Sequence, residues 1–121
     1  MQSFMVIDDI VSELNKFNFT TWTISYEYLI DSIYIVTKDK LAMRDFKNKV
    51  YDPIAKKYGT RPINVQWCLS KLVDSMSYNT NEIVISQYFG IEIGEKISTK
   101  AFIAGVARKL RQKTMKNSVL C

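Results

Sequence analysis

Apolar residues recur at three- and four-residue intervals along almost the whole chain, which is the period of helices rather than strands. Ile7, Ile10, Val11, Leu14 and Phe17 share one face of a first helix. Thr20-Thr21-Trp22-Thr23 then punctuates the chain, and any of the three threonines can cap the next helix. Tyr26, Leu29, Ile30, Ile33 and Val36 or Thr37 mark that second helix, which ends near Lys38-Asp39. A third stretch runs from about Leu41 to Tyr58, with Phe46, Val50, Ile54 and Tyr58 four residues apart. Pro53 either kinks it or restarts it with Asp52 as a new N-cap, and Gly59 closes it. A fourth helix starts near Pro62 and carries Val65, Leu69, Leu72, Val73 and Met76 inward. Asn79-Thr80-Asn81 ends it and caps a fifth, about Glu82 to Phe89, which stops at Gly90. Residues 91–97 alternate apolar and polar around Gly94, as a tiny hairpin or a loop would. Ser98 or Thr99 caps a sixth helix built on Phe102, Ile103, Val106, Ala107 and Leu110, with Arg108, Lys109, Arg111 and Lys113 in its last turn. Residues 113–121 read as a frayed tail. The expectation is an all-α, six-helix domain, with residues 1–121 as a single unit.

Composition narrows the chemistry. The chain has 121 residues, 47% of them apolar, enough for a core that needs neither disulfides nor metal. There is no histidine, so the commonest general base and the commonest metal ligand are both missing, and no enzyme activity or cofactor is expected. The two cysteines make neither a zinc site nor a secreted framework. Cys68 falls within an apolar helical pattern and is expected to be buried, whereas Cys121, the last residue, is expected to be mobile. Asp8 and Asp9 interrupt the apolar N-terminal stretch, which argues against a signal peptide, and no apolar run is long enough to span a membrane. A reducing cytoplasm is the expected compartment, with no membrane partner and no small-molecule ligand.

Charge points elsewhere. The net charge is +5, but residues 1–39 hold two lysines against six acids, and all the remaining fifteen Lys and Arg lie after them. Such asymmetry suits either a solvated basic surface or a polyanionic partner for the second part of the chain.

The segment Tyr51–Lys71, YDPIAKKYGTRPINVQWCLSK, sharpens this. In a helix-turn-helix, a small residue on the first helix permits close packing, a glycine allows positive φ at the turn, and apolar residues on the second helix face inward. Ala55, Gly59, Val65 and Cys68 fall at the required spacing, with Ile54 and Tyr58 supplying further inward contacts. An ordinary helix–glycine–helix corner has the same spacing. If the motif operates on DNA, the second helix presents Arg61, Ile63, Gln66, Trp67 and Ser70 to the bases. Gln66 suits adenine, and Trp67 offers an apolar face to a thymine methyl. Lys56, Lys57, Thr60, Asn64 and Lys71 would contact phosphates, positioning the domain without specifying sequence. An exposed Trp67 also suits a protein–protein anchor.

Four segments in order, YEYLIDSIYIV (26–36), VYDPIAKKYGT (50–60), ISQYFG (85–90) and FIAGVARKLR (102–111), make the chain similar to a known family. It resembles the C-terminal effector domain of the master response regulator of sporulation initiation in spore-forming Firmicutes, across roughly residues 4–112. The resemblance implies six helices with the helix-turn-helix in the third and fourth, and transcriptional control by paired subunits on double-stranded DNA. The chain departs from the family in two places. The family's recognition helix carries adjacent Glu and Arg and a further Arg three residues on, where this chain has Gln66, Trp67 and Ser70. The loop between Gly90 and Phe102 is a few residues shorter than in the family, where it lies near the phosphate backbone. The family's regulator also carries a phosphoacceptor receiver domain; none lies in these residues, and Met1 at the start favours an orphan domain over an excised one. The expected function is a DNA-binding regulator with altered base specificity. The rival is a protein that keeps the fold but modulates another regulator, through Trp67 or the acidic first two helices.

Overall fold

The structure, a computed structural model, describes residues 7–120, with side chains through residue 113. Among these residues there are six α-helices and no strand: α1 (Ile7–Leu14), α2 (Ile24–Lys38), α3 (Asp52–Tyr58), α4 (Pro62–Asn79), α5 (Glu82–Phe89) and α6 (Thr99–Leu120). Of the three threonines before α2, Thr23 is its cap; its hydroxyl accepts from the Tyr26 amide. Asn81 caps α5 through the Ile83 amide at 2.8 Å, and Ser98 receives the Ala101 amide at 3.1 Å at the start of α6. The segment 91–97 forms a loop, turning at Gly94 with φ +87. The helix α6 continues to Leu120, so the stretch read as a frayed tail is helical backbone as far as that residue. Cys121 lies outside the described residues.

The third stretch is not one regular helix. A short 3-10 turn (Lys40–Arg44) precedes it, and Asp45 breaks the helix before Phe46. A π-helical segment (Lys47–Tyr51) then runs directly into α3, with the Asp52 amide bonding to the Lys47 carbonyl. Asp52 is helical, at φ −62 and ψ −51, and is not an N-cap. Proline in a regular helix loses one hydrogen bond and strikes the carbonyl four residues back. The wider π turn immediately before Pro53 absorbs that conflict, so the chain neither restarts nor stops there.

The core is built around α2 and α6, whose Leu29, Ile33, Val36, Phe102, Ile103 and Val106 are fully buried. The rings of Phe17, Phe89 and Phe102 meet stacked, tilted or edge-on with centroids 5.1–5.7 Å apart, and Tyr88 joins them. Gly105 lets α5 approach α6: a Cβ there would lie 2.6 Å from the Phe89 ring. A buried carboxylate pins the same region. Glu13 of α1 is 1% exposed and accepts hydrogen bonds from Lys16, Tyr88 and Lys113. Arg111, placed by its sequence in a closing turn of α6, instead donates to the Val36 carbonyl at the end of α2, at 2.9 Å. A cation there complements the negative end of a neighbouring helix rather than its own.

Candidate nucleic-acid interface

The α3–α4 corner arises from a few local choices. Gly59 adopts the left-handed conformation, φ 69 and ψ 37, and both its amide and that of Thr60 return to the Ala55 carbonyl. This closes α3 within a single turn, and only glycine takes such a φ without penalty. Arg61 is extended, at φ −100 and ψ 149, and Pro62 opens α4 at its first helical position, where no amide is needed. Ala55 is buried in the crook beside Ile54.

Rotation along α4 is fixed by its apolar stripe. Val65, Leu69, Leu72, Val73 and Met76 are buried against the core. At about 100° per residue, Trp67 then falls opposite the stripe, with Ile63, Gln66 and Ser70 beside it. All four are exposed, Trp67 at 61%. Cys68 is corrected by the same geometry. Its spacing predicts a place in the core, but it sits on the flank of the stripe and is only half-buried.

The polar groups differ in how free they are. Arg61 and Lys56 are exposed. Thr60 and Asn64 bond to each other, the Asn64 amide nitrogen donating to the Thr60 hydroxyl at 3.0 Å. Lys71 lies over the Trp67 indole, 4.3 Å from the ring centroid. That cation–π contact covers one face of the indole and leaves the remaining surface outward. Lys57 is engaged: its ammonium is 3.0 Å from Asp31 of α2, and the Tyr58 hydroxyl donates to the same carboxylate oxygen at 2.8 Å. The hydrogen bond to Asp31 holds the Lys57 ammonium above its usual pKa.

Sequence reasoning did not place Lys96 and Lys100. A groove of about 480 Å³ separates Gln66 and Ser70 from the loop that opens α6, and both lysines line it with Tyr51, Asp74 and Ile97. Lys96 pairs loosely with Asp74 at 3.8 Å, and Lys100 lies over the Phe46 ring. The alternating pattern of 91–97 allowed a tiny hairpin or a loop and carried no information on which helix the segment faces. Among the described residues no group of His, Cys, Asp or Glu is arranged to hold a metal ion, and no helix is long and apolar enough to cross a membrane.

A comparison with curated proteins gives no significant match. A comparison with protein families gives one: residues 10–110 match the family described as sporulation initiation factor Spo0A C terminal. The match takes in all of α2 to α5 and both helices of the corner.

Proposed function

The chain belongs to the Spo0A C-terminal family of helical DNA-binding effector domains, and we propose that it is a sequence-specific transcriptional regulator whose base preference has moved away from that of its relatives. In this reading α3, the Gly59 turn and α4 form a helix-turn-helix, and the first turns of α4 enter the major groove. The observation that carries the reading is the register of α4. The buried stripe turns Ile63, Gln66, Trp67 and Ser70 together onto one exposed face, directly after a turn flanked by Lys56 and Arg61.

Each residue has a role in this reading. Gln66 pairs with adenine through its amide, whereas arginine at such a position would favour guanine. Trp67, steadied by Lys71, packs on a thymine methyl or a sugar, and Ile63 supplies further apolar contact. Ser70, in the groove wall, is short enough to accept either base. Arg61 reaches a base or a phosphate at the groove edge. Lys56, Thr60, Asn64 and Lys71 lie where phosphates would pass, and the uncapped start of α4 adds the positive end of a helix dipole. Paired subunits on double-stranded DNA, acting in the cytoplasm and without catalysis or cofactor, complete the proposal.

Trp67 keeps a second reading open, because a large, half-uncovered indole is also what a protein partner would anchor on. Two measurements separate them. Affinity for random duplex DNA should fall linearly with log salt, by about 0.9 per phosphate neutralised. Selection from a random pool should then return a site rich in A·T where Gln66 and Trp67 meet it. Salt-insensitive or absent binding would favour the protein partner, and recovery of the family's own operator would refute the change in specificity.

A further inference from the structure

We propose that Asp31 masks Lys57, so that only Lys56 of the adjacent lysine pair contributes charge to DNA binding, and that Asp31 is the positioning residue that sets this division. The inference rests on the DNA-binding reading above and assigns an unequal role to two residues that sequence alone leaves equivalent.

Asp31 lies on α2, across from the first helix of the corner, and its side chain is 17% exposed. One of its carboxylate oxygens receives both the Lys57 ammonium at 3.0 Å and the Tyr58 hydroxyl at 2.8 Å. Tyr58 is itself fixed, its ring meeting that of Tyr28 edge-on with centroids 5.2 Å apart. The carboxylate is therefore held by a packed phenol whether or not the lysine is present. Lys57 also lies over the Tyr58 ring at 5.2 Å, so its stem takes a defined path toward α2.

The consequence is electrostatic. An exposed ion pair of this kind contributes little to stability. Its effect on a polyanion is larger in kind. A phosphate approaching Lys57, which is 60% exposed, also meets the Asp31 charge about 3 Å behind it. The pair presents no net charge, and a neutral pair releases no counterion. Lys56, exposed on the adjacent position of α3, presents a full charge.

The test is the salt slope of binding to a random-sequence duplex, measured by fluorescence anisotropy on the whole chain. Lys56→Ala should reduce the magnitude of the slope by about 0.9, the value for one phosphate. Lys57→Ala by itself uncovers the Asp31 charge, so the masking is read from Asp31→Asn with and without Lys57. Asp31→Asn, which keeps an acceptor for the Tyr58 hydroxyl, should increase the slope by a similar amount, and adding Lys57→Ala to Asp31→Asn should cancel that increase. A structural role for Asp31 alone would alter thermal stability without this Lys57-dependent change in slope, so circular dichroism melts accompany each variant. An Asp31→Asn slope equal to that of the unsubstituted chain, or one raised equally with Lys57→Ala present, would overturn the masking while leaving DNA binding intact. Absence of any salt-sensitive binding by the unsubstituted chain would overturn both.

Discussion

Replacing Glu13 with glutamine tests the buried clamp on which the whole α1–α5–α6 side depends. Its carboxylate accepts from Lys16 at 2.9 Å and Tyr88 at 2.8 Å on one oxygen, and from Lys113 at 2.8 Å on the other. Burial opposes the charge, but the hydrogen bonds from Lys113, Lys16 and Tyr88 outweigh it and lower the pKa from 4.5 to about 2. A carboxylate held below its unfolded value adds stability that is fully present above pH 4.5 and is lost as pH falls toward about 2. At about 1.4 kcal/mol per pH unit, the span is worth about 3 kcal/mol. Lys16 and Lys113 are 49% and 59% exposed, so solvent screening makes that figure an upper bound. Glutamine matches the protonated carboxyl in shape and still accepts from Tyr88, but it has no charge for the two ammonium groups. Glu13→Gln should therefore cost about 2–3 kcal/mol at pH 7, read as a lower urea midpoint at unchanged slope. The gap to the unsubstituted chain should narrow to about 1 kcal/mol at pH 3, where Glu13 has already lost most of its advantage. A variant within about 0.5 kcal/mol of the parent at pH 7, or a gap that does not change with pH, would refute the reasoning.

Other single positions give equally direct outcomes. Gly105→Ala places a methyl 2.6 Å from the Phe89 ring and should lower stability by about 1–3 kcal/mol in thermal melts, because that ring is wedged among Phe17, Tyr88 and Phe102. Gly59→Ala forces a side chain into φ +69 and should cost about 1–2 kcal/mol, with a loss of DNA affinity larger than that of a surface substitution. Gln66→Ala should cost about 1–3 kcal/mol on the selected site and leave non-specific affinity nearly intact. Trp67→Ala should weaken the same site with no change in sedimentation; dissociation of an oligomer instead would make Trp67 a subunit anchor. Half-buried Cys68 should react with an alkylating reagent in the native state, more slowly than in urea; complete protection would contradict its position on the flank of α4.

Much of this arrangement is legible in the chain. The threes and fours of Tyr26 to Val36, Val65 to Met76 and Phe102 to Leu110 identify the core faces, because burying a helix requires an apolar stripe at its own period. Gly59, Asn81 and Gly90 act through their own backbone or the next turn, so the boundaries they set are correct. Cys68 shows the limit. It shares the spacing of the stripe but sits at its edge, and periodicity does not say how wide a stripe the neighbours cover. Pro53 shows another: its position allows both a kink and a restart, and the π turn that resolves them depends on where Phe46 and Val50 must be buried.

What the sequence determined by itself is what short-range physics decides: helix phase, caps, turn residues, the separation of an acidic beginning from a basic remainder, and the family motifs. What only the tertiary structure decided is which charged groups meet. Asp31 finds Lys57 across 26 residues, Glu13 finds Tyr88 across 75 and Lys113 across 100, and Lys96 and Lys100 arrive beside Gln66 and Ser70 through a loop whose alternating pattern does not say which helix it faces. Such pairings leave no period in the chain. A side-chain charge is selected by distance in space, which is set when the apolar faces have packed, and in this protein that distance separates a lysine free to meet a polyanion from one already neutralised.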